Sequence, residues 1–128
     1  MLLIPVRVGP SSIHGLGLFP VAPLRAGAPI WRFESGFDQR FSDAEASHWP
    51  APAQAHLRWF AWRERDSGLW VLSGDHACFM NHAESPNTGM APGGPDGVTC
   101  ALRDIAEGEE LTCDYRAFDA EAEAKLRS

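Results

Sequence analysis

Apolar residues in this chain come in short bursts cut by Gly, Pro and charge, which points to many short strands rather than long helices. Residues 2–8 are apolar and β-prone and predict a strand that ends at Gly9-Pro10. Residues 16–21 and 28–33 predict two more, each opened by a glycine-bearing turn. Ser42-Asp43-Ala44-Glu45 has the form of a capping box, so a short helix starts there and stops near Pro50 and Pro52. Residues 53–65 place Leu57, Phe60 and Ala61 at helical spacing, widened by Trp59 and Trp62, and predict a second helix. Strands are predicted again over 69–72, 98–102 and 110–113, with a Pro/Gly-rich loop at 89–97. The tail, 119–128, alternates alanine with charge and reads as helical or frayed. The result is an α+β chain, mainly β, around one core.

With 128 residues, the chain is long enough for one domain, 1–128, and too short for two. A net charge of −6 argues against direct nucleic-acid binding, which needs a basic face, and suits a basic substrate such as a lysine-rich tail. Cys78, Cys100 and Cys113 have no paired spacing, so a reducing compartment is expected and a disulfide framework is not. The opening residues lack a basic stretch followed by a long apolar one, and no run is long enough to span a bilayer. The expectation is a cytoplasmic protein without membrane contact.

Three runs carry candidate chemistry. Gly15-Leu16-Gly17 lets the backbone bend tightly and a ligand approach main-chain amides, but it lacks the third glycine of a dinucleotide fingerprint. In Phe79-Met80-Asn81-His82-Ala83-Glu84-Ser85-Pro86-Asn87, Asn81 can both donate and accept toward a polar ligand. His76, Cys78 and His82 with Asp75 could be metal ligands, yet the tight Cys-x-x-Cys or His-pair spacing of a zinc site is missing, so no metal is expected. No local pattern marks any cysteine as a nucleophile. The third run, Gly108-Glu109-Glu110-Leu111-Thr112-Cys113-Asp114-Tyr115, contains a solvated acidic turn and closes on the chain's one tyrosine.

In that order the three runs resemble the SET domain, the family of S-adenosylmethionine-dependent protein lysine methyltransferases, from about Ile13 to Tyr115. The resemblance implies the family's β-clip-like fold: small curved sheets, a short helical insertion and a C-terminal segment threaded in a knot-like way. It implies that Gly15, Leu16, Gly17, Asn81 and the backbone of His82 contact S-adenosylmethionine, with Tyr115 at the point of methyl transfer. His82 is then structural rather than a general base.

Several positions depart from the family pattern. Ala83 stands for a serine, Glu84 for a cysteine, and Cys78 for the arginine of histone-directed members. Cys113 takes an aromatic position that helps set how many methyl groups are added, and Phe33 takes a channel position where relatives often carry tyrosine. Flanking cysteine-rich segments are missing, so Phe118 is the expected local cover for a substrate channel lined by Phe33, Cys113 and Phe118; a homodimer is the other way to complete it. The resulting expectation is methyl transfer from S-adenosylmethionine to a lysine side chain of a protein. The alternatives are a catalytically degenerate SET-fold binding module and, third, a small-molecule amine methyltransferase.

Overall fold

The computed structural model describes residues 1–127. A hairpin opens the chain: β1 (Val6–Pro10) pairs antiparallel with β2 (Leu16–Pro20), with Gly9 opposite Gly17. The turn between them closes on Ser11, whose hydroxyl accepts from the amides of Ile13 and His14, and Gly15 adopts a positive φ of 51°. Next, β3 (Pro29–Arg32) is followed by β4 (Gln39–Phe41), α1 (Asp43–Ala46) and α2 (Ala51–Phe60). The capping box at α1 is formed as expected, Ser42 and Glu45 bonding reciprocally.

The second helix is shifted from its predicted span. It starts earlier because Pro52 sits in its first turn, where a missing N–H costs nothing. It ends at Phe60 because Ala61 turns extended, at φ −91° and ψ 164°. Trp62 and Arg63 then form β5, which with β4 flanks β6 (Trp70–Leu72) in an antiparallel sheet. Only Leu57 of α2 is buried, so Trp59 and Phe60 face outward instead of widening a core face.

A 3-10 turn over His76–Phe79 leads into β7 (Asn81–His82). The segment expected to be loop contributes β8 (Thr88–Met90), which pairs with β9 (Val98–Ala101), and β9 pairs on its other side with β3. Then β10 (Thr112–Cys113) runs parallel to β7, aligning Thr112 with Asn81 and Cys113 with His82. This parallel pair joins segments 31 positions apart and sets the site. Next comes α3 (Tyr115–Phe118), and within the tail residues 122–126 are helical, as α4 (Ala122–Leu126). The mainly β, α+β architecture matches the expected class.

Two apolar clusters support these sheets. Leu18, Ile30, Met80, Ala101, Ile105, Leu111 and Cys113 make the larger one, beneath the parallel pair. Ala46, Leu57, Ala61 and Trp70 make the other, under α2. No helix among the described residues is long and apolar enough to cross a membrane.

Candidate active site

Tyr115 stands where the parallel pair ends. Its backbone N–H donates to His82 Nδ1 at 3.1 Å, and its hydroxyl donates to the Met80 carbonyl at 2.9 Å. These two bonds hold the ring from both ends against the residues that bracket Asn81. An accepting Nδ1 puts the proton of neutral His82 on Nε2, which lies 3.4 Å from Glu84 Oε1. Burial first, then neighbouring acids, push the Tyr115 hydroxyl well above the usual phenol range, so it remains a donor.

On one side of Tyr115 lies a cavity of about 540 Å³. Met80, Cys78, Cys113, Phe118, Trp62 and Trp31 are among the residues that line it. Phe118 meets Tyr115 edge-on at 6.2 Å and Trp62 at 5.3 Å, forming an aromatic wall. Burial pushes the Cys113 thiol up to about 12, so it stays protonated and acts as a small apolar surface. The expected lining residue Phe33 is not among those at the cavity. Its ring instead carries the Arg40 guanidinium at 3.7 Å, and Trp31, two residues earlier, lines the wall.

Of the residues expected to hold a cofactor, none of Gly15, Leu16, Gly17, Asn81 and His82 lines this cavity; Met80, next to Asn81, does. Asn81 ties its strand to the first hairpin and to Glu110. Its Nδ2 faces four acceptors: Ser11 Oγ at 3.1 Å, His14 O and Leu16 O at 3.0 Å each, and Glu110 Oε2 at 2.9 Å. Glu110 in turn accepts from Ser11 Oγ at 2.7 and 2.8 Å. The carboxylate predicted to be solvated therefore ties the first hairpin to the C-terminal run. Asn87, buried at 3% exposure, ties its own segment to the same C-terminal run. It accepts from Thr112 N at 2.8 Å and donates to Glu110 O at 2.8 Å.

A second clasp, which no sequence pattern signals, is part of the cavity wall. Asp119, 1% exposed, accepts from Arg63 N at 3.0 Å, Glu121 N at 2.9 Å and Lys125 Nζ at 2.6 Å. Lys125, the chain's only lysine, also donates to Ala61 O. Asp75, a candidate metal ligand by sequence, is occupied by the amides of Leu2 and Ala77. Among the described residues no three His, Cys, Asp or Glu side chains are placed to share an ion.

A family model for the SET domain matches residues 15–116, most of the chain. The chain belongs to the SET domain family. No curated protein matches it. Solved structures similar to this SET domain include a humanized mutant of the Chaetomium thermophilum Polycomb Repressive Complex 2 bound to the inhibitor GSK126. That likeness has a TM-score of 0.65 at 22% identity, over 94% of this chain and 16% of that one. A Plasmodium falciparum putative histone methyltransferase has a TM-score of 0.60 at 16% identity, over 89% of this chain and 95% of that one. ctPRC2 in an autoinhibited conformation bound to S-adenosylmethionine has a TM-score of 0.66 at 21% identity, over 97% of this chain and 16% of that one. At such identities the likeness is one of fold. The chain also spans only about a sixth of the Polycomb chains it matches.

In this SET domain the glycine bend has an open face suited to a polar ligand. A Cβ at Gly15 would meet nothing within 4 Å, and Leu16 is 48% exposed. With Nδ2 committed inward, Asn81 has its Oδ1 left, which accepts no bond among the described residues and fits an ammonium donor. Gly17 is different, since a Cβ there would lie 2.5 Å from Glu110 Oε2. Gly17→Ala should therefore push Glu110 off Ser11 and Asn81. If the bend holds S-adenosylmethionine, affinity for it should fall by about tenfold or more, with a smaller loss of stability. Isothermal titration against S-adenosylmethionine beside a thermal melt checks it.

Proposed function

We propose that this SET domain transfers a methyl group from S-adenosylmethionine to the side-chain amine of a lysine in a protein. The family and the fold support a methyltransferase. The observation that carries the finer reading is Tyr115, anchored at both ends beside Asn81 and opening onto an apolar cavity. Gly15, Leu16, Gly17, Asn81 and the backbone of His82 are the residues that would hold the cofactor. Bound there, it supplies an electrophilic methyl group on a sulfonium sulfur.

The chain's own part is to present a neutral, aligned amine. A lysine entering the cavity leaves water for an aromatic wall, which disfavours its charge and helps the proton depart to solvent. A neutral amine has two N–H groups that need acceptors and one lone pair that must point at the methyl. Tyr115 Oη keeps its proton and donates it in the bond to Met80 O, so its lone pairs are left to accept from the amine. Orientation of this kind contributes more than any proton transfer by the protein, and no lining residue is needed as a general base.

Cys113 bears on product multiplicity. It is 8% exposed, sits beside Tyr115 in the lining, and leaves room that a phenyl ring would fill. The expected wild-type product is di- or trimethyllysine, and Cys113→Phe should shift it to monomethyllysine; intact-mass analysis of a modified peptide reads the difference. The overall proposal is tested by incubating the protein with cell extract and methyl-labelled cofactor, then identifying labelled lysines. Saturable cofactor binding with no transfer to any protein would instead favour a binding module.

A further inference from the structure

The cavity beside Tyr115 is larger than its proposed task. A lysine side chain has five heavy atoms, displacing roughly five waters at about 30 Å³ each, so most of the 540 Å³ is left to other groups. That remaining space is walled by large apolar side chains which the fold leaves in water. Trp59 is 57% exposed, Phe60 37%, Met90 55% and Leu102 41%, and all four line this cavity.

Trp59 and Phe60 are there by construction. α2 turns only Leu57 into the core, and its last turn brings the two aromatic rings to the cavity. Phe60 is braced edge-on against Phe79 at 5.9 Å and packs on His56 at 4.8 Å, so its position is held. Exposed apolar side chains gathered at one cavity, rather than scattered singly, mark a surface that receives another apolar group.

The charge around the same cavity points the same way. Among the described residues only Asp114, Asp119 and Lys125 line it with ionisable carboxylates or amines. Asp119 is neutralised by Lys125 at 2.6 Å, and Asp114 caps α3 by accepting from Arg116 N. The net charge of −6 is therefore carried mostly elsewhere, and basic residues beside a target lysine would find one carboxylate, Asp114, as countercharge here. This runs against the lysine-rich tail that net charge alone favours.

We infer that the substrate is a lysine flanked by a large apolar residue (Leu, Met or Phe), which packs against Trp59, Phe60, Met90 and Leu102, and not a lysine in a basic tail. This rests on the proposed methyl transfer at Tyr115 and narrows its substrate class. The cavity is continuous from Tyr115 to these side chains, so target lysine and neighbour occupy one space.

Two peptides identical except for the residues beside one lysine, leucine and phenylalanine in one and arginine in the other, test the inference. Transfer from labelled cofactor and binding followed by tryptophan fluorescence are both measured. The apolar peptide should have kcat/KM about tenfold or more above the basic one, as expected for burying one such side chain. Trp59→Ala and Leu102→Ala, at exposed positions that leave the core intact, should each reduce that ratio, mainly through KM. Equal or reversed preference with transfer intact overturns the inference and leaves the proposed function standing. Transfer to neither peptide counts against the proposed function. In that case fluorescence decides the docking preference: tighter binding of the apolar peptide sustains it, and equal or no binding overturns it.

Discussion

Tyr115→Phe should lower methyl transfer by about 100-fold or more while leaving S-adenosylmethionine affinity unchanged. The change removes one oxygen. That oxygen both donates to Met80 O at 2.9 Å and offers the lone pair that would orient the substrate amine. The ring, its packing on Phe118 and the Tyr115 N–H bond to His82 all remain. Only one half-buried hydrogen bond is lost, so stability should fall by about 1 kcal/mol and the melting temperature by a few degrees. Single-turnover transfer, calorimetric cofactor binding and a thermal melt together separate a catalytic oxygen from a structural one. If transfer and binding fell in parallel, Tyr115 would be a scaffold residue. The raised position of the phenol adds a pH expectation. Because the hydroxyl stays protonated beyond the usual phenol range, its ionisation should not limit the rate as pH rises to about 10.

The largest expected loss of stability comes from the clasp on the cavity wall. Asp119→Ala strips partners from two backbone amides and from the Lys125 ammonium in a site 1% exposed. Removing one member of a buried pair costs about 3–5 kcal/mol, which for a chain of this size is a fall of about 10 °C or more in melting temperature. Lys125→Met should cost less, because Asp119 keeps the amides of Arg63 and Glu121. The double change should fall well short of the sum, since each single change leaves the remaining charge without its counter-ion. Chemical denaturation of the four proteins checks both statements; strict additivity would mean that the two side chains act independently.

What the sequence disclosed depended on how far apart the interacting residues lie. Ser42 and Glu45 are three positions apart, so their capping box was legible from the local pattern alone. Tyr115 and Asn81 stood out because each sits in a run whose order resembles a family. Glu110 looked like part of a solvated turn because its partner Ser11 lies 99 positions earlier, and no local pattern shows such a pairing. Gly89 and Met90 fell in the expected loop for a similar reason: the strand exists by pairing with β9, and Gly89 contributes nothing to local β preference. Trp59 and Phe60 fit a helical apolar face, but α2 ends at Phe60 and only Leu57 turns inward, so tertiary packing reversed the expected burial. Phe33 was matched by resemblance alone, and a shift of two residues puts Trp31 at the cavity in its place.

Lys125, held by Asp119 and Ala61 O and only 15% exposed, has a practical consequence for handling the protein. Acylating reagents and cross-linkers that seek a free lysine amine find none ready on the folded chain. Dye uptake at this residue would therefore follow opening of the C-terminal helices. A brief pulse of such a reagent, read at residue 125, would serve as a built-in gauge of how often that end of the molecule detaches.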